Sequence, residues 1–378
     1  MKILILTRNY PNPVNSMASI FVQDQAKALA QAGHDVTVIA VIWVSLLQVV
    51  KKEKAHLGIF VEQKNGVKSI VFRMPIIPKL WRISTFLRKI ATIWLFNKYY
   101  FQIPDVIHCH FVDSAYAALY LKRKYGIPFV ITEHNSGFLM NEIPAYINIA
   151  AKRLFPLASK RIAVSNALAD ALARRYGCKF IVIPNVVDTE TFFPIISYNS
   201  KDREINSYIA IGNLIPLKNY LSLIEAFALA FHNDASITLT IVGDGPERAR
   251  ILNKIAALNM QKKIKLTGKL ERSEVVRAIQ QADAFVHTSL CETFGVSIAE
   301  AMSMGLPAIS TPSGGPIDII CDNKVGIICD FKTESIAAAL LQCREMNWDR
   351  TYIRQTITSR YSAKAVVDRI VFVYREVI

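Results

Sequence analysis

Short apolar stretches alternate with segments of helical length along the whole chain, and this alternation constrains the fold more than any other feature. Residues 2–6 read as a strand, 19–32 as a helix stopped by Gly33, and 35–40 as the next strand. After an irregular stretch, 105–109 is an apolar strand, 114–125 a helix closed by Gly126, and 128–132 a strand. Strands at 160–164 and 179–183 flank a helix at 166–176. Strands joined by helices form parallel sheets with covered faces, because a parallel connection needs a crossover. Residues 184–207 interrupt the pattern with Pro, Asn and Ser, the composition of an inter-domain linker. The alternation then restarts, with strands at 208–211, 237–242, 264–266, 284–287, 306–310 and 325–328 and helices at 220–231 and 247–258. A chain of 378 residues, 52% of them hydrophobic, is too long for one core and rich enough for two. The expectation is an α/β protein of two Rossmann-like domains, residues 1–185 and 186–362, with parallel sheets facing a central cleft. The last helix, about 363–378, is expected to join the first domain. Ligands of such folds bind at the carboxyl ends of the strands.

The charge is polarised. Residues 1–185 hold 24 Lys and Arg against 9 Asp and Glu, whereas residues 186–378 hold 21 of each, so the whole net charge of +15 sits in the first half. Such a field attracts an anionic partner; the simpler reading is a solvated face. Residues 78–100 interleave Lys79, Arg82, Arg88, Lys89 and Lys98 with Trp81, Phe86, Trp94, Phe96, Tyr99 and Tyr100. That composition suits a helix lying in a membrane interface, with Arg82, Arg88 and Lys89 toward anionic head groups. It suits equally a surface helix that packs its apolar face on the sheet. The longest apolar run, 36–50, contains Thr37, Ser45 and Gln48 and is too short to span a bilayer. The N-terminus reads as a strand rather than a secretion signal, so a cytoplasmic protein is expected, peripheral on the inner face of the membrane. None of the six cysteines lies in C-x-x-C or zinc spacing, which implies reduced thiols and no metal site. No nucleic-acid recognition motif occurs, and no nucleic-acid partner is expected. The first loop, T-R-N-Y-P, lacks the G-x-G-x-x-G of a nicotinamide dehydrogenase.

The strongest chemical signal is Glu292-Thr293-Phe294-Gly295-Val296-Ser297-Ile298-Ala299-Glu300. Gly295 stands where a loop turns into a helix that runs to Met304, with Gly305 as its stop and Pro307 beyond. The N–H groups of Phe294, Gly295 and Val296 would then face a ligand, and a helix N-terminus suits a phosphate. Glu292 precedes the helix and can accept hydrogen bonds from sugar hydroxyls. Glu300, inside it, can hold ribose hydroxyls; a solvated helix face explains Glu300 equally well.

The run E-T-F-G-V-S-I-A-E-A-M-S-M-G-L-P-A-I-S-T-P-S-G-G-P resembles the signature of the retaining GT-B glycosyltransferases of family four. So do Y-P-N-P, I-F-V-Q-D-Q-A-K-A-L-A-Q-A-G-H-D-V-T-V-I, I-H-C-H-F, I-T-E-H-N, A-V-S-N, I-P-N-V-V-D and V-G-D-G-P-E, in the family's order. The resemblance implies a GT-B fold and transfer of a sugar from a nucleotide-diphosphate sugar to a glycan or lipid-linked acceptor. It implies that Glu292 contacts the transferred sugar, Glu300 the ribose, and Lys218 the donor diphosphate. It places His110 at a strand end facing the donor sugar, with His108 as second choice, and makes the first domain the acceptor domain. Gly243 and Gly245 occupy a tight loop where backbone approaches the nucleotide, and Gly268 to Leu270 are candidates for base contacts.

Two departures stand out. Asn213 replaces the family's usual Arg, which leaves Lys218 to neutralise charge, helped by Arg248 or the helix end. Ala18 and Ser19 stand where the family commonly has Gly, so glycine-specific backbone geometry is not expected there. The chain contains no D-x-D, the pair that holds a divalent metal in the other main architecture, which agrees with a metal-free, cofactor-free mechanism. Bacterial surface polysaccharide or lipopolysaccharide assembly is the expected setting. A sugar-nucleotide epimerase or phosphorylase on the same fold, or a basic nucleic-acid or membrane-binding protein without catalysis, are the alternatives.

Overall fold

The alternation resolves into two separate sheets. The computed structural model describes residues 1–12, 15–45, 56–75, 81–100, 102–194 and 204–378, apart from the side chains of Trp81 and Arg82. Two units divide the chain: Met1–Val186 with Ala363–Ile378, and Val187–Ser362.

The first unit is built on eight strands: β1 (Lys2–Thr7), β2 (Asp35–Val44), β3 (Gly58–Lys64), β4 (Val67–Pro75), β5 (Val106–His110), β6 (Phe129–Glu133), β7 (Lys160–Ala163) and β8 (Ile181–Val182). Their order is β3-β4-β2-β1-β5-β6-β7-β8. Every pairing is parallel except β3 with β4. Ile3, Leu4 and Ile5 of β1 are fully buried, as a central parallel strand covered on both faces requires. The β3–β4 hairpin replaces the irregular stretch expected from the sequence. Its turn is Asn65-Gly66, both with positive φ (52° and 77°), the two-residue turn whose twist matches antiparallel strands.

The helix Ile20–Gln31 buries Val22, Ala26 and Leu29 in the core of this sheet. The helix Ala363–Arg375 adds Val366, Val367, Ile370, Val373 and Tyr374 to the same core. Full burial of one such aliphatic side chain stabilises by roughly 1.5–3 kcal/mol, so the last helix is firmly held.

The second unit carries six parallel strands: β9 (Ser207–Ile211), β10 (Thr238–Val242), β11 (Ile264–Gly268), β12 (Ala284–His287), β13 (Ala308–Ser310) and β14 (Gly326–Ile328). Their order is β11-β10-β9-β12-β13-β14. Helices Arg272–Gln280, Thr333–Glu345 and Arg350–Tyr361 add to those expected from the sequence. Part of the expected linker, residues 195–203, lies outside the described residues.

Each sheet grows outward from its first strand on one side and later on the other. The reversal falls between β1 and β5 in the first unit and between β9 and β12 in the second. Neighbouring connections diverge at these points, which opens a crevice beyond the carboxyl ends of the strands. Thr7 and His110 end their strands in register at the first reversal. Ile211 and His287 end theirs at the second.

Candidate functional site

In the second unit the loops leaving β9 and β12 bring Lys218 and Glu292 together across 74 residues of sequence. Lys218 ends the short helix Pro216–Lys218, and its Nζ lies 2.6 Å from Glu292 Oε2. Each side chain is 19% exposed, so the pair is largely desolvated but open at one side. His287 Nε2 stands 3.7 Å from the same oxygen and has no hydrogen-bond partner among the described residues. Burial alone would raise the Glu292 carboxyl, but Lys218, His287 and the Phe294 N–H hold it below the ordinary glutamate value. Burial, reinforced by Lys218, pushes His287 down to about 3, so its ring is neutral at pH 7. The sequence did not single out His287; its place at a strand end on the reversal is the signal that would have found it.

Backbone hydrogen bonds fix this loop. The Glu292 N–H donates to Ser313 O (2.8 Å) and the Gly315 N–H to Glu292 O (2.9 Å). Gly315 admits no side chain, because a Cβ there would lie 2.4 Å from Phe294 Cα. Gly295 caps the helix Val296–Ser303 in the left-handed conformation (φ 103°), open to glycine at little cost. The N–H groups of Gly295, Val296 and Ser297 donate to nothing among the described residues, whereas the Ile298 N–H is taken by Gly295 O at 3.0 Å. The Phe294 N–H, expected to face a ligand, also helps to keep the Glu292 carboxyl ionised. Glu300 lies in this helix and is 6% exposed, which removes the reading of a solvated face.

Gly243 and Gly245 serve the protein's own packing. A Cβ on Gly243 would meet Gly212 O at 1.9 Å, and one on Gly245 would meet Leu214 O at 2.5 Å. These glycines let the β10 loop close on the β9 loop that carries Lys218. Close approach of the two loops thus requires glycine at both positions, a packing reason that the sequence reading did not include. Asn213 lies exposed between them, on the loop that leads to Lys218. Arg248 opens the helix Arg248–Ala257, and its buried Nη1 has no partner among the described residues.

In the first unit His110 ends β5 and is fully buried. Its Nε2 is 3.3 Å from Gln25 Nε2 and its Nδ1 is 2.9 Å from His134 Nε2. His108 is 3.2 Å from the same Gln25 nitrogen, 2.5 Å from Tyr374 Oη and 2.7 Å from Thr132 Oγ1. Burial lowers His108 to about 3, and lowers His110 and His134 well below the usual histidine value, so all three are neutral at pH 7. The buried Glu133 carboxylate accepts the N–H groups of Val112, His134 and Asn135, which ties the β5 and β6 loops together. Phe111, directly after His110, has φ 67°, a conformation that costs a non-glycine residue on the order of 1–3 kcal/mol. Ser19 also adopts a left-handed conformation (φ 49°), so the geometry that the missing glycine would have favoured is present after all. Gln25, His134 and Tyr374 were not anticipated from the sequence.

The helix Trp81–Tyr99 confirms the segment as helical but corrects one cation. Arg88 points inward, with Nη1 2.7 Å from Asp113 Oδ2, and Arg8 holds the other oxygen of Asp113 at 3.1 Å. A buried carboxylate outbids solvent for the guanidinium, so Arg88 does not face head groups. Lys89 is half-buried with Nζ 5.8 Å from the Tyr120 ring centre. The side chain of Arg82 lies outside the described residues, as do Pro78, Lys79 and Leu80.

Residues 18–191 match the family model described as Glycosyltransferase Family 4, and residues 195–360 that described as Glycosyl transferases group 1. An uncharacterized glycosyltransferase, YqgM of Bacillus subtilis, is 28% identical over 242 residues, 63% of this chain and 67% of the relative. Sucrose-phosphate synthase of Thermosynechococcus elongatus superposes with a TM-score of 0.79 at 17% identity, covering 100% of this chain and 99% of the other. Anabaena Alr3699/HepE, solved with UDP and glucose, superposes with a TM-score of 0.75 at 17% identity and covers both chains fully (100% each). With one family model on each half and a strand-end site in each sheet, the chain belongs to the group 1, family 4 glycosyltransferases and has the GT-B fold.

Proposed function

We propose that this glycosyltransferase moves a sugar from a nucleotide-diphosphate sugar to a glycan or lipid-linked acceptor, with retention of configuration and without a metal ion. The observation that carries the reading is the Lys218–Glu292 pair, 2.6 Å apart at the reversal of the second sheet, beside three N–H groups without acceptors. A cation and a helix N-terminus together suit the diphosphate. Charge grows on the departing phosphate in the transition state, so Lys218 stabilises that state more than the bound donor. Glu292, held ionised, accepts hydrogen bonds from sugar hydroxyls. Glu300 takes the ribose hydroxyls. In a front-face reaction the bond from the anomeric carbon to the diphosphate oxygen breaks while the acceptor oxygen bonds to that carbon. The acceptor's proton passes to the departing phosphate oxygen. Lys218 supplies the charge that a metal ion supplies in other transferases, and the lack of D-x-D accords with that. The UDP and glucose held by the HepE protein make UDP-sugars the first donors to try.

A lipid-linked acceptor is favoured by one surface. Ile83, Phe86, Ile90 and Trp94 are 45%, 58%, 46% and 44% exposed and recur at helical spacing on one side of the helix Trp81–Tyr99. Lys98 Nζ lies 4.8 Å from the Trp94 ring centre, a cation beside an aromatic at the edge of that stripe. Such a face fits the membrane interface, and surface polysaccharide or lipopolysaccharide assembly would supply acceptors there. No described helix is long and apolar enough to cross a membrane.

A thermal-shift panel of nucleotide sugars tests the donor reading. A donor at 100 times its Kd stabilises by about 2.7 kcal/mol through mass action. No shift with any nucleotide or nucleotide sugar would overturn it.

A further inference from the structure

One cation of the second unit has two anions to serve. Lys218 Nζ lies 2.6 Å from Glu292 Oε2, and the diphosphate of a bound donor would draw the same ammonium. The backbone around it cannot follow. Thr288 Oγ1 donates to Lys218 O and Asn219 O at 3.2 and 3.3 Å, and the Leu290 N–H donates to Leu217 O at 2.8 Å. These bonds fasten the loop of Lys218 to the loop of Glu292. Glu292 is held in turn through its own N–H and carbonyl, by Ser313 and Gly315. Motion toward a diphosphate is therefore left to the flexible stem of Lys218, whose ammonium is a compact charge with rotatable donors.

When the ammonium turns away, Glu292 remains as a carboxylate with most of its surface out of water. A buried ion that loses its partner is strongly destabilised. Two further groups favour its ionised form, His287 and the Phe294 N–H. His287 ends β12 and is 4% exposed, and its carbonyl accepts the Thr311 N–H at 3.1 Å. Its Nε2 stands 3.7 Å from Glu292 Oε2, the same oxygen that Lys218 occupies, and has no hydrogen-bond partner among the described residues. Burial and Lys218 keep the ring neutral at pH 7, so it has one proton to place. A nitrogen lone pair turned toward a carboxylate oxygen would be repelled, so the proton sits on Nε2. The separation is too long for a hydrogen bond, and closing it by roughly 0.8 Å makes an ordinary one.

We propose that His287 is a positioning residue that takes over Glu292 Oε2 when Lys218 leaves it for the donor diphosphate, and so keeps the carboxylate in place for the sugar hydroxyls. The proposal rests on the glycosyl-transfer reading for what draws Lys218 away. The exchange of Lys218 for His287 on Glu292 is a property of the three side chains themselves. In this role His287 acts through Glu292 and not on the sugar.

Calorimetric titration with UDP tests the exchange through a double-mutant cycle. His287→Leu is expected to weaken UDP binding about tenfold in the wild-type chain and less than about twofold in Glu292→Gln, where no carboxylate is left to hold. His287→Gln, whose amide nitrogen falls near the place of Nε2, is expected to recover most of the loss. Equal loss in both backgrounds, which a purely structural ring would give, overturns the proposal. So does no loss in either, or a loss in His287→Gln as large as in His287→Leu. Proton–nitrogen correlation spectra of the full chain carrying nitrogen-15 histidine decide the matter where His287→Leu does not fold. The proton on His287 Nε2 is expected to move downfield when UDP binds to the wild type, and in Lys218→Met without any nucleotide. A bare Nε2, or a proton that stays in place under bound UDP or in Lys218→Met, overturns the proposal. If no nucleoside diphosphate binds, the glycosyl-transfer reading fails, and the Lys218→Met spectrum still decides whether His287 follows Lys218 onto Glu292.

Discussion

Replacing Gly243 by Ala tests whether the packing of two loops, rather than room for a ligand, explains this glycine. The added Cβ would lie 1.9 Å from Gly212 O, and ordinary contacts of this kind do not fall below 3.0 Å. One loop must therefore retreat by roughly 1 Å. The β10 strand anchors one side, and the β9 loop, with Lys218 six residues after Gly212, is the side that can give. Overpacking of this kind costs about 1–3 kcal/mol, which for a unit of this size lowers Tm by about 2–4 °C per kcal/mol. A displacement of about 1 Å at a positioning group can reduce turnover on the order of a hundredfold. Gly177→Ala is the control: it also has positive φ (65°), but a Cβ there meets nothing within 4 Å. It should cost about 1 kcal/mol and leave turnover unchanged. Thermal unfolding and kcat/KM for both variants, with a donor identified in the panel above, make the comparison. If Gly243→Ala matched Gly177→Ala in both measurements, loop closure would not be what holds Lys218 in place.

Further outcomes are expected. Glu292→Gln should lower turnover more than tenfold with an unchanged circular dichroism spectrum; a rate equal to wild type would remove Glu292 from the site. Activity should persist in EDTA, and complete loss restored by magnesium or manganese would contradict Lys218 as the source of positive charge. Stability should fall with acidification below pH 6.5: His108 and His287 titrate near 3 when folded but near 6.5 when unfolded, so the unfolded chain alone takes up their protons. Each should contribute a loss of about 1.4 kcal/mol per pH unit within that window, and denaturant midpoints that do not move between pH 7 and 5 would argue against buried neutral rings. Vesicles of anionic lipid should float the wild type at low salt, and Phe86→Ser with Trp94→Ser should float less; identical flotation would leave the apolar stripe without a membrane role.

Much of the fold was legible because parallel strands buried on both faces must be continuously apolar. β1, β5, β6 and β12 could be read within a residue or two for that reason. The β3–β4 hairpin was overlooked although Asn65-Gly66 marked its turn, because half-exposed edge strands such as Phe60-Val61-Glu62-Gln63 carry no sustained apolar run. At the site, Lys218 and Glu292 were named from motifs, but their mutual contact depends on strand order, which periodicity does not reveal. Arg88 illustrates the opposite failure. Composition marks it as a cation on an aromatic helix, and nothing local discloses that Asp113, 25 residues on, turns it inward. Gln25, His134 and Tyr374 are individually ordinary residues whose meaning arises only when helix and strand ends are brought side by side.

The last helix also sets an order of events. Val366, Val367, Ile370, Val373 and Tyr374 belong to the core of the first unit, yet ribosomes reach them only after all of Val187–Ser362 has been made. At about 5–20 residues per second, those 176 residues delay completion by roughly 10–35 s. Throughout that interval the nascent first unit lacks five core side chains, one of them the phenol that contacts His108, so its core closes only after the second unit has been made. A chain that stops short by even the final turn of that helix loses Val373 and Tyr374 from the core, and His108 Nδ1 loses the Tyr374 hydroxyl.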